Sequence, residues 1–357
     1  MEKLQMVKVP ISRKSPKCFP PAISGAIKVE EFDSRVLEGN PLGDPVRRKV
    51  AYYTPPSGET EGKPLLVILT GFTGSGWMHF LPAGFLGEAL YQKFDRLVRD
   101  RVCGEAVLVA PDCITSLGGS QHVNSSATGR YEDYVVKEIV PWAREKFHTG
   151  STGVLGQSSG GFGALHLAIE HPDLFQAVGS SSGDMAFEHC YLPDIPKAVN
   201  EFKKVGGPEE FLAKMFEEPG TLKGPTDPSG SAINMLAMAA CYSPRDSEPG
   251  EFDLPFDPMS GEMIPITWDR WLAFDPVRRL STRKGKEALL RLRLVHVTAS
   301  SPDEYALDIG ARIFAAAASR QGVPVVHEEF VGGHFTSGPR FETLFTRMVG
   351  ALTDKGR

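Results

Sequence analysis

The chain has 357 residues, of which 41% are apolar, 9% aromatic and 23% charged, a make-up that excludes a disordered or fibrous protein and supports a large buried core. Its 39 basic and 44 acidic side chains leave a net charge of -5, without a run of five like charges, so neither nucleic acid nor an anionic membrane surface is an expected partner. A domain size of roughly 150 residues would allow two units, but α/β folds commonly grow by insertion, and the expectation is one domain plus a lid.

Residues 1–21 are rich in Lys and Pro and lack periodicity, which predicts a loosely held arm. The opening Met1-Glu2-Lys3-Leu4-Gln5-Met6-Val7-Lys8 carries charges where a secretory leader needs an apolar stretch, so export by that route is not expected. Five cysteines, Cys18, Cys103, Cys113, Cys190 and Cys241, lack CxxC spacing. They read as reduced thiols of a cytoplasmic protein rather than as a disulfide framework or a zinc site.

From residue 22 the pattern becomes regular. Segments 26–32 and 48–53 are rich in β-branched residues and flank the turn Gly39-Asn40-Pro41-Leu42-Gly43-Asp44-Pro45, which predicts an antiparallel entry to a sheet. A continuous apolar run over 64–70 follows, then a Gly/Thr loop and a helical pattern over 84–98. The run is strand-sized, far below the ~18 residues that span a bilayer. Strands at 106–110, 152–155, 176–179 and 292–297 then alternate with helices at 131–147, 161–170 and 304–320, and a strand at 325–330 and a helix at 341–352 close the pattern. The fold class is α/β, a mostly parallel sheet covered by helices on both faces.

One stretch, 185–288, breaks the alternation with helical pieces, Pro/Gly turns, Trp268 and Trp271. It divides the core into 22–184 and 289–357. Its position after one core strand and before another predicts an insertion over the C-terminal edge of the sheet, where α/β ligand sites lie. It reads as a substrate lid; a structural elaboration or an oligomer contact is the alternative, so a homo-oligomer stays open.

The strongest local motif is Gly156-Gln157-Ser158-Ser159-Gly160, between a strand and a helix. A nucleophile on so tight a turn occupies strained backbone angles and needs small residues two before and two after it, and the helix start leaves backbone N–H groups free to face negative charge. An ordinary glycine-rich helix start is the plainer explanation. A serine hydroxyl also needs a base, and the base an orienting carboxylate; in this fold they follow in the order acid, then histidine. Thr298-Ala299-Ser300-Ser301-Pro302-Asp303-Glu304 and Val331-Gly332-Gly333-His334 both leave predicted strands. Asp303 is therefore the candidate acid, with Glu304 and Asp184 as competitors, and His334 the candidate base. His148, His166, His171, His296 and His327 lie in or beside regular elements and read as packing or surface residues. For the oxyanion, the backbone N–H groups of Ser159 and of Phe72, in Gly71-Phe72-Thr73-Gly74-Ser75-Gly76, are the candidates. That glycine loop lacks the Lys-Ser/Thr ending of a phosphate cradle.

These residues resemble the putative-esterase (esterase D-like) branch of the α/β-hydrolases, which includes S-formylglutathione hydrolases, ferric-enterobactin esterases, feruloyl esterases and mycolyltransferases. The resemblance runs from about Val29 over nearly the whole chain. It rests on the turn at 39–45, Leu69-Thr70-Gly71-Phe72, Asn124-Ser125-Ser126-Ala127-Thr128-Gly129-Arg130-Tyr131-Glu132-Asp133-Tyr134, the segment 156–163, Pro302-Asp303-Glu304-Tyr305 and Gly332-Gly333-His334. It implies the α/β-hydrolase fold, the triad Ser158, Asp303 and His334, and the oxyanion positions Phe72 and Ser159. Two features depart from the family pattern: Thr336 stands where an aromatic residue is common, and the insertion after Gly183 is long. Trp77 and Gln121 are expected near the active-site mouth, and Phe187 and Tyr191 to line it from the lid; all four read equally well as packing residues.

The expectation is a serine hydrolase cleaving a small-molecule carboxylic ester, or a thioester, through an acyl-enzyme, with no metal or organic cofactor. An acyltransferase or peptidase with the same triad, and a noncatalytic binding module on the same scaffold, are the alternatives.

Overall fold

The structure, a computed structural model, describes residues 23–82, 88–218, 227–335 and 338–354. The expected arm at 1–21, Cys18 and Thr336 lie outside the described residues, as does the start of the helix expected at 84.

Eight strands form the central sheet: β1 (Ala26–Asp33), β2 (Arg47–Thr54), β3 (Leu65–Leu69), β4 (Val107–Pro111), β5 (Thr152–Gln157), β6 (Ala177–Ser181), β7 (Leu294–Ser301) and β8 (Val326–Val331). Their order is β1-β2-β4-β3-β5-β6-β7-β8. β1 pairs antiparallel with β2, and β2 with β4; every other pairing is parallel. The predicted antiparallel entry to a parallel sheet is what the chain builds.

The apolar run of β3 shows why the sheet is sandwiched. Leu65, Val67 and Leu69 point into one apolar cluster and Leu66 and Ile68 into another, all at most 1% exposed, because successive strand side chains alternate faces. The first cluster is covered by α2 (Val140–Phe147) with the helical turns before it, by α3 (Ser159–Glu170), and by parts of α9 (Pro276–Leu280), α10 (Arg283–Arg291) and α11 (Leu307–Gln321). The second is covered by α1 (Leu90–Arg99) and α12 (Gly338–Thr353).

Two elements differ from the sequence reading. β7 runs four residues past its predicted end, because Thr298 and Ser300, though polar, are fully buried between β6 and β8. The helix expected over 131–147 widens to a π-helix over Tyr134–Ile139, where the Val140 N–H donates to Val135 O. Pro141 follows at once and has no N–H to keep the tighter ladder.

Between β6 and β7 the chain forms α4 (Phe187–Cys190), α5 (Ile195–Val205), α6 (Pro208–Glu217), α7 (Pro228–Tyr242) and α8 (Pro265–Leu272), then α9 and α10. α4 to α8 share an apolar cluster of their own, with Tyr191, Met238, Tyr242 and Trp271 buried, and it meets the sheet domain through Phe162, Leu117, Val123 and Leu307. α9 and α10 contribute Leu280, Ala288 and Leu289 to the main core instead. Among the described residues no helix is long and apolar enough to cross a membrane.

Candidate active site

The register brings the relevant strand exits to one edge. Leu69 pairs with Gly156, Gln157 with Ser181, Ser181 with Thr298, and Ser301 with Val331. The loops that follow β3, β5, β6, β7 and β8 therefore leave the sheet side by side.

Ser158 sits at the β5–α3 turn with φ 57° and ψ -130°, an uncommon conformation for a residue with a side chain. Its N–H donates to Ser181 O at 3.0 Å. The flanking glycines are required by space: a Cβ on Gly156 would lie 2.4 Å from the Gly160 carbonyl, and one on Gly160 would lie 2.2 Å from Leu69 O. The loop after β3 presses against Ser158, since a Cβ on Gly71 would lie 3.2 Å from Ser158 Cβ. Among the described residues no acceptor takes the N–H of Phe72 or of Ser159. Both residues line one cavity with Ser158 and His334.

His334 is held on all sides. Its Nδ1 lies 2.9 Å from Asp303 Oδ2, which fixes the Nδ1–H tautomer and leaves Nε2 as the acceptor. Its backbone N–H donates to Glu304, and its carbonyl accepts from Gln157 Nε2 at 2.9 Å and Arg340 Nη2 at 2.8 Å. Tyr305 and Phe335 pack edge-on against the ring at 4.9 and 5.1 Å. Ser158 Oγ and His334 share the cavity without a hydrogen bond between them in this structure, as is common before substrate binds.

Burial pushes the Asp303 carboxyl upward, but the bond to His334 and its charge, the Tyr305 N–H at 2.9 Å and Ser182 outweigh it, leaving the carboxyl below the usual range. Glu304 bonds the backbone of His334 rather than its ring, and Asp184 bonds Ser159 Oγ at 3.4 Å. Of the three carboxylates weighed from the sequence, Asp303 alone meets the imidazole.

The substrate-side expectations divide. Tyr191 lines the cavity. Trp77 does not: it packs in a helical turn against the core of α1 and α12, with Lys49 Nζ 5.2 Å from its ring centroid. Phe187 is corrected likewise; it is fully buried, packed in tilted and edge-on contacts among Phe162, Tyr191 and Tyr242. Gln121 also lies off the cavity wall, fully buried, with its amide donating to Asp184, Tyr191 and Tyr242. Its neighbour His122 supports the loop after β3, Nε2 lying 3.1 Å from Thr70 O. Burial pushes the His122 imidazole down to about 4, so the ring is neutral and Nε2–H is the donor to that carbonyl.

No motif or spacing pointed to Arg340. Fully buried on α12, it bonds both His334 O and Ser182 Oγ, the latter at 2.6 Å. Asp194 and Asn234, also missed, reach the cavity from the insertion, together with Cys190 and Gly230. Asp194 and Asn234 sit in helical segments with no motif around them, so only packing reveals them.

A family described as "Putative esterase" matches residues 45–348. No curated protein sequence matches the chain. Among solved structures, a ferulic acid esterase superposes with a TM-score of 0.55 at 17% identity, over 93% of this chain and 100% of that one. An S-formylglutathione hydrolase from Agrobacterium tumefaciens gives 0.55 at 14%, over 93% and 97%. A fluorophosphonate-binding serine hydrolase from Staphylococcus aureus gives 0.53 at 13%, over 92% and 99%. At these identities the likeness establishes a shared fold, the α/β-hydrolase fold.

Proposed function

The chain belongs to the putative esterase family, which makes it an ester-hydrolysing serine hydrolase, and on that premise we propose that Ser158, His334 and Asp303 carry out the chemistry. In this reading Ser158 Oγ attacks the ester carbonyl while its proton passes to His334 Nε2. The new C–O bond pushes the carbonyl electron pair onto oxygen, and the N–H groups of Phe72 and Ser159 receive that charge. Collapse breaks the bond to the alkoxide, which takes the proton from His334. Water then repeats the sequence on the acyl-enzyme and releases the acid. A thioester follows the same course with a thiolate leaving. Asp303 keeps the imidazole in the tautomer that can accept, and stabilises the imidazolium once it forms.

The observation that carries this reading is the 2.9 Å contact between His334 Nδ1 and Asp303 Oδ2 at the wall of a cavity whose floor is the strained Ser158. Residues 185–288 act in it as the cap, since Cys190, Tyr191, Asp194, Gly230 and Asn234 line the cavity opposite the triad. The four cysteines among the described residues are buried free thiols, which suits a reducing, cytoplasmic compartment.

The test is Ser158→Ala. Turnover of p-nitrophenyl esters falls by about 10⁴-fold or more and labelling by a fluorophosphonate disappears. A folded variant with near-normal activity would refute the assignment.

A further inference from the structure

The ladder between β7 and β8 ends where Ser301 pairs with Val331. Beyond it, the loop that carries His334 is tied to the loop that carries Asp303 through two backbone donors. The Gly332 N–H donates to Ser301 O at 3.3 Å, and the His334 N–H donates to Glu304 Oε2 at 2.5 Å. Glu304 is an exposed residue and does not line the cavity.

The same carboxylate lies over the glycine before the histidine. A Cβ on Gly333 would lie 2.2 Å from Glu304 Oε1 and 2.9 Å from its Cδ and Oε2. The Gly333 backbone is outside the left-handed region, so conformation does not demand a glycine here; the close approach of Glu304 does. The group in the way is the end of one flexible side chain, so a methyl at 333 would push the carboxylate off the His334 N–H rather than break the fold.

A general base works only if its Nε2 stays in reach of the serine oxygen. Asp303 holds the ring at Nδ1, but the place from which the ring projects is set by the backbone. Gln157 and Arg340 hold that backbone at its carbonyl, and Glu304 holds it at the N–H. A bond from an N–H to an ionised carboxylate is roughly twice as strong as one between neutral groups.

We propose that Glu304 is a positioning residue for the base. Adjacent carboxylates of one loop grip the same histidine, Asp303 at the ring and Glu304 at the backbone, and residue 333 is glycine because the second grip fills the space of a side chain. The assignment rests on the serine-esterase reading above.

A double-mutant cycle on the hydrolysis of p-nitrophenyl acetate tests it, with urea unfolding to establish that each variant is folded. Glu304→Ala lowers kcat by about tenfold, the size of a hydrogen bond to a charged acceptor, leaves KM within about twofold, and slows fluorophosphonate labelling of Ser158 to a similar degree. Glu304→Gln, whose amide oxygen can take the same N–H, keeps kcat within about threefold. Gly333→Ala reproduces the Glu304→Ala defect in wild-type background, yet changes kcat by less than about twofold once residue 304 is alanine. Gly333→Ala removes no hydrogen-bonding group, so it decides the matter if Glu304→Ala does not fold. Near-normal kcat in Glu304→Ala or in Gly333→Ala, a Glu304→Gln enzyme as slow as Glu304→Ala, or a Gly333→Ala loss equal in both backgrounds overturns this assignment alone, provided the wild type cleaves the ester through Ser158. A wild type that neither hydrolyses the ester nor is labelled at Ser158 overturns the esterase mechanism beneath it.

Discussion

Replacing Gly160 by Ala sets a small change against an unyielding neighbour. The new Cβ would lie 2.2 Å from Leu69 O, 2.6 Å from Leu69 C and 2.8 Å from Thr70 O. All three are backbone atoms at the end of β3, where Leu69 is 1% exposed and held in the sheet between β4 and β5, so no side chain can swing aside. Restoring an ordinary contact requires about 1 Å of separation between the start of α3 and the loop that carries Phe72. Overpacking of this kind costs about 1–3 kcal/mol, more than the ~1 kcal/mol that Ala gains over Gly in a helix. The same displacement moves Ser159 N–H away from Phe72 N–H, and a 1 Å error in a catalytic geometry costs about 100-fold. Urea unfolding and steady-state hydrolysis of a p-nitrophenyl ester measure the two effects. A variant as stable as wild type and within twofold of its kcat/KM would refute the argument that this glycine sets the spacing between the Ser159 and Phe72 N–H groups.

Gly350→Ala is the matched control: its Cβ would meet nothing within 4 Å on α12, so it should stabilise the protein by about 0.5–1 kcal/mol, and a loss of stability would contradict the steric account. Arg340→Lys replaces a fork that bonds both His334 O and Ser182 Oγ by a single ammonium, and kcat should fall about 10- to 100-fold with KM within about twofold; an unchanged kcat would remove Arg340 as a positioning residue. His122 predicts a pH dependence of stability. Its folded pKa, near 4, lies below the ordinary value of 6.5, so between those pH values the unfolded chain binds a proton that the folded one refuses. Stability from this group is complete above pH 6.5 and is lost as pH falls toward 4, by about 3 kcal/mol in all. His122→Gln should flatten that part of the curve in urea unfolding at successive pH values, and equal slopes for the two proteins would exclude the histidine as the source.

Much of the site was legible along the chain because its rules are local. The glycines around Ser158 are dictated by contacts within one turn and with the strand beside it. Asp303 and His334 follow from the order of strand exits, which alternating apolar runs and helical patterns reveal. The π-helical stretch and the length of β7 were not legible, because a Pro within a helical pattern signals a disturbed ladder without saying that it widens, and Thr298 and Ser300 read as loop residues until the neighbouring strands bury them.

The sequence alone determined the parallel sheet, the tight turn at Ser158 and the chain order of the three candidate catalytic residues, since each depends on spacing along the backbone. The tertiary structure decided which carboxylate meets the imidazole, that Arg340 braces it, and that Trp77, Gln121 and Phe187 stay off the cavity wall. Those outcomes rest on how α4 to α8 pack against the sheet edge, and packing between remote segments follows from the shapes that meet there, which no short pattern of residues specifies.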